Sequence, residues 1–262
     1  WLHAQGGLEA DLTVPKFDDT HFMVVASDTA HRHVEARLRR ACEAAPHAFS
    51  CDVTGAYAQL NVQGPKSREL LQSVTTVDLS NEAFPFRAAR EIDIGFARVL
   101  CVRITYLGEL GYELYIPTEA AVHVYERLRE AGKPFNVAHA GLKALASLRM
   151  EKGYRDYGHD IDNTDSVLEV GLGFAVDLKK PDGFIGKDAV DLGPHAWERA
   201  RVVERAGERP RQRRRGGLVA ADQQGHQVVA QLVVAERAAV VVAGADEQRQ
   251  DVVARCALVV GE

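Results

Sequence analysis

A chain of 262 residues, 46% hydrophobic and 26% charged, is long enough to bury the core of one large domain or two smaller ones. A net charge of -5 and a pI near 6.1 exclude the basic footprint of a nucleic-acid binder. No apolar run approaches the roughly 20 residues a bilayer crossing needs, so neither nucleic acid nor membrane is an expected partner.

Strand and helix signals alternate irregularly along the chain, which predicts an α+β fold. Leu12-Thr13-Val14 and Phe22-Met23-Val24-Val25 read as short strands around an Asp18-Asp19 turn. Ser27 is placed to cap a helix through His33, Val34, Leu38 and Cys42. Polar and apolar residues alternate from Tyr57 to Val62, with Tyr57, Gln59 and Asn61 on one side and Ala58, Leu60 and Val62 on the other. Gly64-Pro65 ends that strand and opens a helix, with proline where its missing N–H costs little. A strand pair follows from Phe96 to Pro117, interrupted by Gly108-Glu109-Leu110-Gly111. Helices are expected at 120–131 and 141–150, and Phe184-Ile185-Gly186-Lys187 reads as the turn into one more. No internal repeats are present.

Composition changes near Gly193. Residues 193–262 contain no Lys, Ser, Thr, Asn, Ile, Phe, Tyr or Met, but include Arg213-Arg214-Arg215 and Val240-Val241-Val242. Aromatic side chains supply much of a core's buried area, and none follows Trp197. The segment reads either as a compositionally biased domain or as out-of-frame translation of a GC-rich gene, since most of the missing types have AT-rich codons. No function is taken from it. Cys42, Cys51, Cys101 and Cys256 form no CxxC pair, which fits neither a zinc site nor a disulfide framework and favours a reducing compartment. The chain starts at Trp1 with no leader-like segment, so a processed product or a fragment is expected.

Three stretches carry side chains suited to chemistry. In Gly6-Gly7-Leu8-Glu9-Ala10-Asp11, the glycines allow close approach of a ligand, and Asp11 either points into a cavity or caps exposed N–H groups. In Gly111-Tyr112-Glu113-Leu114-Tyr115-Ile116, alternation puts Tyr112, Leu114 and Ile116 on one face and Glu113 and Tyr115 on the other. A strand carboxylate beside aromatics suits a planar heterocycle with two N–H donors, and a solvent-facing glutamate is the alternative. Arg149, at a helix end where the dipole favours a cation, has a planar fork for a carboxylate or carbonyl, or closes a salt-bridged helix end. His159 is an acid–base candidate or a structural histidine.

In order, these stretches resemble one family. Gly6 to Val14 is similar to the "GGI-x-x-D-x-T-V" segment of glycine-cleavage T-proteins, the folate-binding aminomethyltransferases. Gln63-Gly64-Pro65-Lys66-Ser67-Arg68 resembles the family's "QGP-[KR]-[SA]-R" turn, and Tyr106 to Pro117 its "Y-x-GE-x-G-[YFW]-E-[LI]-Y-x-P" hairpin. Ser147 to Gly153, Gly158-His159-Asp160, Leu168 to Leu172 and Phe184 to Lys187 follow in the family's order. Phe84-Pro85-Phe86-Arg87, Glu91-Ile92-Asp93-Ile94-Gly95 and Glu151-Lys152-Gly153-Tyr154 resemble the dimethylglycine and sarcosine dehydrogenase branch.

The resemblance implies a tetrahydrofolate-binding, aminomethyltransferase-like domain over residues 1–192, truncated at its N-terminal side. The atypical segment 193–262 stands where the family has a barrel that closes over folate. The implied reaction is one-carbon transfer from an iminium intermediate of N-methylglycine or N,N-dimethylglycine oxidation to tetrahydrofolate. FAD would belong to a missing N-terminal domain, the fused or associated flavin oxidase. Asp11 falls on the family's catalytic aspartate, Glu113 on the pterin-binding glutamate, Arg149 on a folate- or substrate-contacting arginine, and Tyr106 on a position packing near the ring. No metal is implied. The compartment would be the cytoplasm in a bacterium and the mitochondrial matrix in a eukaryote. A stand-alone aminomethyltransferase and a non-catalytic folate-binding or regulatory module are the competing readings.

Overall fold

In the computed structural model, residues 1–45 and 47–191 are described, together with the backbone of strands 229–232 and 237–244. The apolar run after the Asp18-Asp19 turn forms β2 (His21–Ser27), antiparallel to β1 (Leu12–Thr13). β2 is apolar at consecutive positions because both its faces are covered. Phe22, Val24 and Ala26 pack on Val34, Leu38 and Cys42 of α1 (His31–Glu43), while Met23 and Val25 pack on Leu100, Val102 and Tyr115 of a second sheet.

The first sheet also contains β3 (Ala48–Asp52). The second contains β4 (Tyr57–Gln63), β5 (Ala89–Ile94), β6 (Ala97–Val102), β7 (Gly111–Pro117) and β8 (Ala138–His139). Its far face, with Leu60, Val62, Ile92, Ile94, Val99, Leu114 and Ile116, packs on α2 (Ser67–Gln72) and α3 (Ala121–Ala131) through Leu70, Leu71, Val124 and Leu128. The layers therefore run helix, sheet, sheet, helix. The fold is α+β, as the sequence predicts.

Beyond α4 (Leu142–Glu151) and α5 (Lys187–Asp191), the chain contributes β9 (Val229–Leu232) and β10 (Arg237–Gly244). The sheet orders are β1-β2-β10-β3 and β5-β6-β7-β4-β9-β8. Val240 to Val242 thus lie in a strand, whereas Trp197, the arginine run and Cys256 lie outside the described residues.

Three local expectations are corrected. Ser27 makes no capping bond, because a 3-10 turn at Asp28–Ala30 intervenes and α1 starts after Ala30. Pro65 sits in a turn closed by Ser67 N–H donating to the Gly64 carbonyl, and α2 begins two residues later than expected. The Gly6-Gly7 pair admits its own chain rather than a ligand. A Cβ on Gly7 would stand 2.2 Å from the His3 ring and 2.7 Å from the Asn163 carbonyl.

The Gln63-Gly64-Pro65 turn and the hairpin loop before β7 interlock. Gly64 N–H and the Ser67 hydroxyl both donate to the Leu110 carbonyl, and the Thr105 hydroxyl donates to Gln63 Oε1 at 2.7 Å. A Cβ on Gly111 would lie 1.9 Å from that same oxygen. Gly111→Ala should therefore cost about 1–3 kcal/mol of stability through overpacking. In thermal melts followed by circular dichroism, we expect a lower midpoint that Gln63→Ala partly restores; an unchanged midpoint would contradict this contact.

Candidate functional site

The segment before β1 is clamped, which fixes where Asp11 emerges. Leu2 and Leu8 share an apolar cluster with Ile161, Val167 and Val190. Leu8 N–H donates to the Asp165 carbonyl at 3.0 Å, and the Tyr157 hydroxyl donates to the Glu9 carbonyl at 2.9 Å. Asp11 follows directly, is exposed, and makes no hydrogen bond or ion pair with a described residue. It caps no N–H group among them.

Tyr106 stands in the loop between β6 and β7. Its hydroxyl donates to the Arg155 carbonyl at 3.1 Å, and its ring meets Tyr154 edge-on with centroids 6.1 Å apart. Burial pushes the phenol up to about 12, the carboxylates of Asp156, Asp160 and Asp11 add to that, and the Arg149 cation opposes it. Asp11, Tyr106 and Arg149 therefore share one electrostatic neighbourhood. The loop is pinned by the Lys152–Glu109 ion pair at 2.9 Å. The Lys152 stem lies over Gly108, where a Cβ would approach within 2.5 Å, and the φ of +70° also favours glycine.

Arg149 lies in the last turn of α4, and its side chain is only 3% exposed. Its Nη1 donates to the Tyr154 carbonyl at 2.9 Å and to Asp160 Oδ2. Burial opposes its charge, but the Asp160 hydrogen bond and the nearby Tyr106 and Asp156 outweigh it, so the guanidinium stays charged. Asp160 also accepts the Asp156 backbone N–H at 3.0 Å. Its burial favours the neutral acid, yet the bonds from Arg149 and Asp156 and the neighbouring cation hold the carboxyl below its usual range.

Glu113 faces the gap between the two sheets. It is 2% exposed, and its Oε2 accepts the Tyr115 hydroxyl at 2.6 Å. The pairing register sets Asn61 of β4 directly across from it and Gln59 across from Tyr115. Asn61 Oδ1 and Gln59 Nε2 are buried with no hydrogen-bond partner among the described residues. A buried polar atom left unpaired costs about 1–3 kcal/mol, and native structures seldom carry two beside a buried carboxylate without a use for them. The solvent-facing reading of Glu113 is thereby set aside. This strip offers a carboxylate, an amide oxygen and an amide N–H, a donor–acceptor set that fits the polar edge of a planar heterocycle.

Sequence reasoning did not single out Gln59, Asn61 or Asp160 as site residues. The alternation in β4 exposed the polar face, but only strand register sets Asn61 against Glu113. His159, flagged as an acid–base candidate, has a side chain 76% exposed, while its neighbour Asp160 holds Arg149. A surface depression lined by Arg68, Glu69, Gln72, Ser73, Asp78 and Ser80 runs along α2 and includes none of the four predicted residues.

The GCVT N-terminal domain matches residues 1–180. The chain belongs to this aminomethyltransferase-domain family. It is 39% identical over 191 residues to 4-methylaminobutanoate oxidase (formaldehyde-forming) of Paenarthrobacter nicotinovorans, covering 72% of this chain and 23% of that protein. It is 34% identical over 218 residues to mitochondrial sarcosine dehydrogenase of Homo sapiens, covering 77% and 24%. With aminomethyltransferase of Alkaliphilus metalliredigens it shares 36% identity over 191 residues, 72% of this chain and 50% of that one. The chain thus spans about a quarter of the two oxidising relatives and half of the aminomethyltransferase. No helix among the described residues is long and apolar enough to cross a membrane.

The Arg149–Asp160 pair has a signature in acid. A carboxyl whose pKa is lowered by folding stabilises the native state above its unfolded value of 3.8, and loses that contribution as pH falls through the lower folded value. Wild type should therefore exceed Asp160→Asn in urea midpoint at pH 7, with the gap closing below about pH 4. A gap that persists at pH 3 would rule out this ionic contribution.

Proposed function

We propose that this chain is the tetrahydrofolate-binding part of a flavin-dependent dehydrogenase acting on N-methylglycine, N,N-dimethylglycine or a similar N-methylated amino acid. Its task is to pass the one-carbon unit of the iminium intermediate to tetrahydrofolate. The observation that carries this reading is the buried carboxylate of Glu113 flanked by two amide atoms without partners among the described residues, in a chain related to N-methyl-oxidising enzymes. Residues 1–192 form the folate-binding part in this reading. Segment 193–262 takes the place of the family's C-terminal barrel, and FAD belongs to a separate oxidase domain. The compartment is the cytoplasm in a bacterium and the mitochondrial matrix in a eukaryote.

Each residue then has a physical task. Glu113 accepts two N–H bonds from the pterin edge, a bidentate and charge-assisted arrangement. Asn61 and Gln59 extend that edge with one acceptor and one donor. Arg149 presents its fork to a carbonyl or carboxylate of folate or substrate. Tyr106, tied to the Arg155 carbonyl, packs against the ring. Asp11 accepts the proton released as the folate amine adds to the iminium carbon, and a proton returned to the donor nitrogen lets its C–N bond break, so that the demethylated amino acid leaves and the methylene stays on folate. Tetrahydrofolate supplies the nucleophilic amine, and the protein contributes proximity and exclusion of water.

A stand-alone aminomethyltransferase is the second reading, supported by the relative of that name, half of which the chain matches. The two differ in the donor: an N-methyl amine after oxidation, or an aminomethyl group on a carrier protein.

Two substitutions in the intact gene product test the proposal. Asp11→Asn should leave the Kd for tetrahydrofolate within about twofold while slowing methylene transfer about a hundredfold in single-turnover assays, a typical contribution of a positioned base. Transfer at the wild-type rate would remove the role assigned to Asp11. Glu113→Gln should weaken tetrahydrofolate binding by tenfold or more in titration calorimetry, because a buried charge-assisted contact contributes about 1.5–3 kcal/mol. Equal heats and affinities for the two proteins would count against the pterin contact.

A further inference from the structure

The guanidinium of Arg149 is used on one side only. Both of its protein bonds, to the Tyr154 carbonyl and to Asp160 Oδ2, come from Nη1. The Nε and Nη2 edge makes no hydrogen bond with a described residue, although the side chain is 3% exposed. A long flexible side chain held at one nitrogen, with two parallel donors left over, is a fork fixed in advance of its ligand.

The group that fixes it sits in a loop tied by its own hydrogen bonds. Asp160 and Ile161 N–H both donate to the Asp156 carbonyl, and Tyr157 pairs with Ile161. Tyr157 also reaches the Glu9 carbonyl, two residues before Asp11. Loop 156–161 therefore braces Arg149 and the segment carrying Asp11 at once.

We propose that Asp160 is a positioning residue of the folate site: it anchors Nη1 of Arg149 so that the Nε–Nη2 edge faces a carbonyl or paired acceptors of the bound folate. This rests on the folate-binding reading and adds to it a residue that touches no ligand itself. The Asp160 charge also offsets that of Arg149, so the fork acts through hydrogen-bond direction more than through net charge.

The test is a double-mutant cycle in the intact gene product at neutral pH, read as the calorimetric Kd for tetrahydrofolate. Asp160→Asn keeps the shape but removes the anchoring charge and should raise Kd about tenfold. Arg149→Lys keeps a cation beside Asp160 but loses the fork, and should raise Kd at least as much. In the Arg149→Lys background, adding Asp160→Asn should change Kd by less than twofold, because the anchor has nothing left to aim. A purely structural role would instead lower the melting midpoint of Asp160→Asn while leaving the Kd of the folded variant at the wild-type value, and that result overturns the proposal. So does an unchanged Kd in Arg149→Lys, which decides the matter even if Asp160→Asn fails to fold. Absence of binding by the unsubstituted protein overturns the folate reading and this inference together. Normal wild-type binding with an unaffected Asp160→Asn overturns the positioning role alone.

Discussion

Burial of β2 on both faces sets the architecture. Met23 and Val25 press against Leu100, Val102 and Tyr115, while Phe22, Val24 and Ala26 press against α1. Two sheets packed face to face leave an interior strip, and whatever points into it from β4 and β7 is withdrawn from water. Apolar side chains fill one part of that strip. Glu113, Asn61 and Gln59 fill another, where the two amide atoms without a partner among the described residues are costly to bury. A fold that holds a buried carboxyl group beside two amide atoms with no partner among the described residues carries a local cost in stability there.

The loops around that strip are held by side-chain wedges instead of regular structure. Gln63 fills the space above Gly111, the Lys152 stem fills the space above Gly108, and the Thr105 hydroxyl ties the loop to Gln63. This explains why glycines recur in the hairpin: each lies beneath a side chain that leaves no room for a Cβ. The same logic reverses the initial reading of Gly6-Gly7, where the close neighbours are His3, Asn163 and Ala189. Loop 156–161 completes the frame by holding Arg149 at one end and the approach to Asp11 at the other.

Charge follows the same geometry. Arg149 is stabilised deep in the protein because Asp160 meets it there and Asp156 stands near. Tyr106 keeps its proton because it is half-buried and stands near carboxylates. Asp11, by contrast, is exposed and makes no hydrogen bond or ion pair with a described residue.

The α+β class, the strands β1, β2, β4 and β7, the helices α1, α3 and α4, and the family were all legible in the sequence, because periodicity and turn residues are local properties of the chain. Alternation in β7 also assigned Glu113 to the face opposite Tyr112 and Leu114. It did not say whether that face met water or a second sheet. Only tertiary structure decided this, since the neighbour of Glu113 is Asn61, some fifty residues earlier, brought alongside by strand register. Sequence likewise singled out Arg149 as a candidate cation, with a salt-bridged helix end as the alternative, but not Asp160 as its partner, because an ion pair across a loop leaves no periodic trace. Local spacing determines which elements form and which face is polar; distant pairing determines which polar groups are buried together, and burial gives them their chemistry.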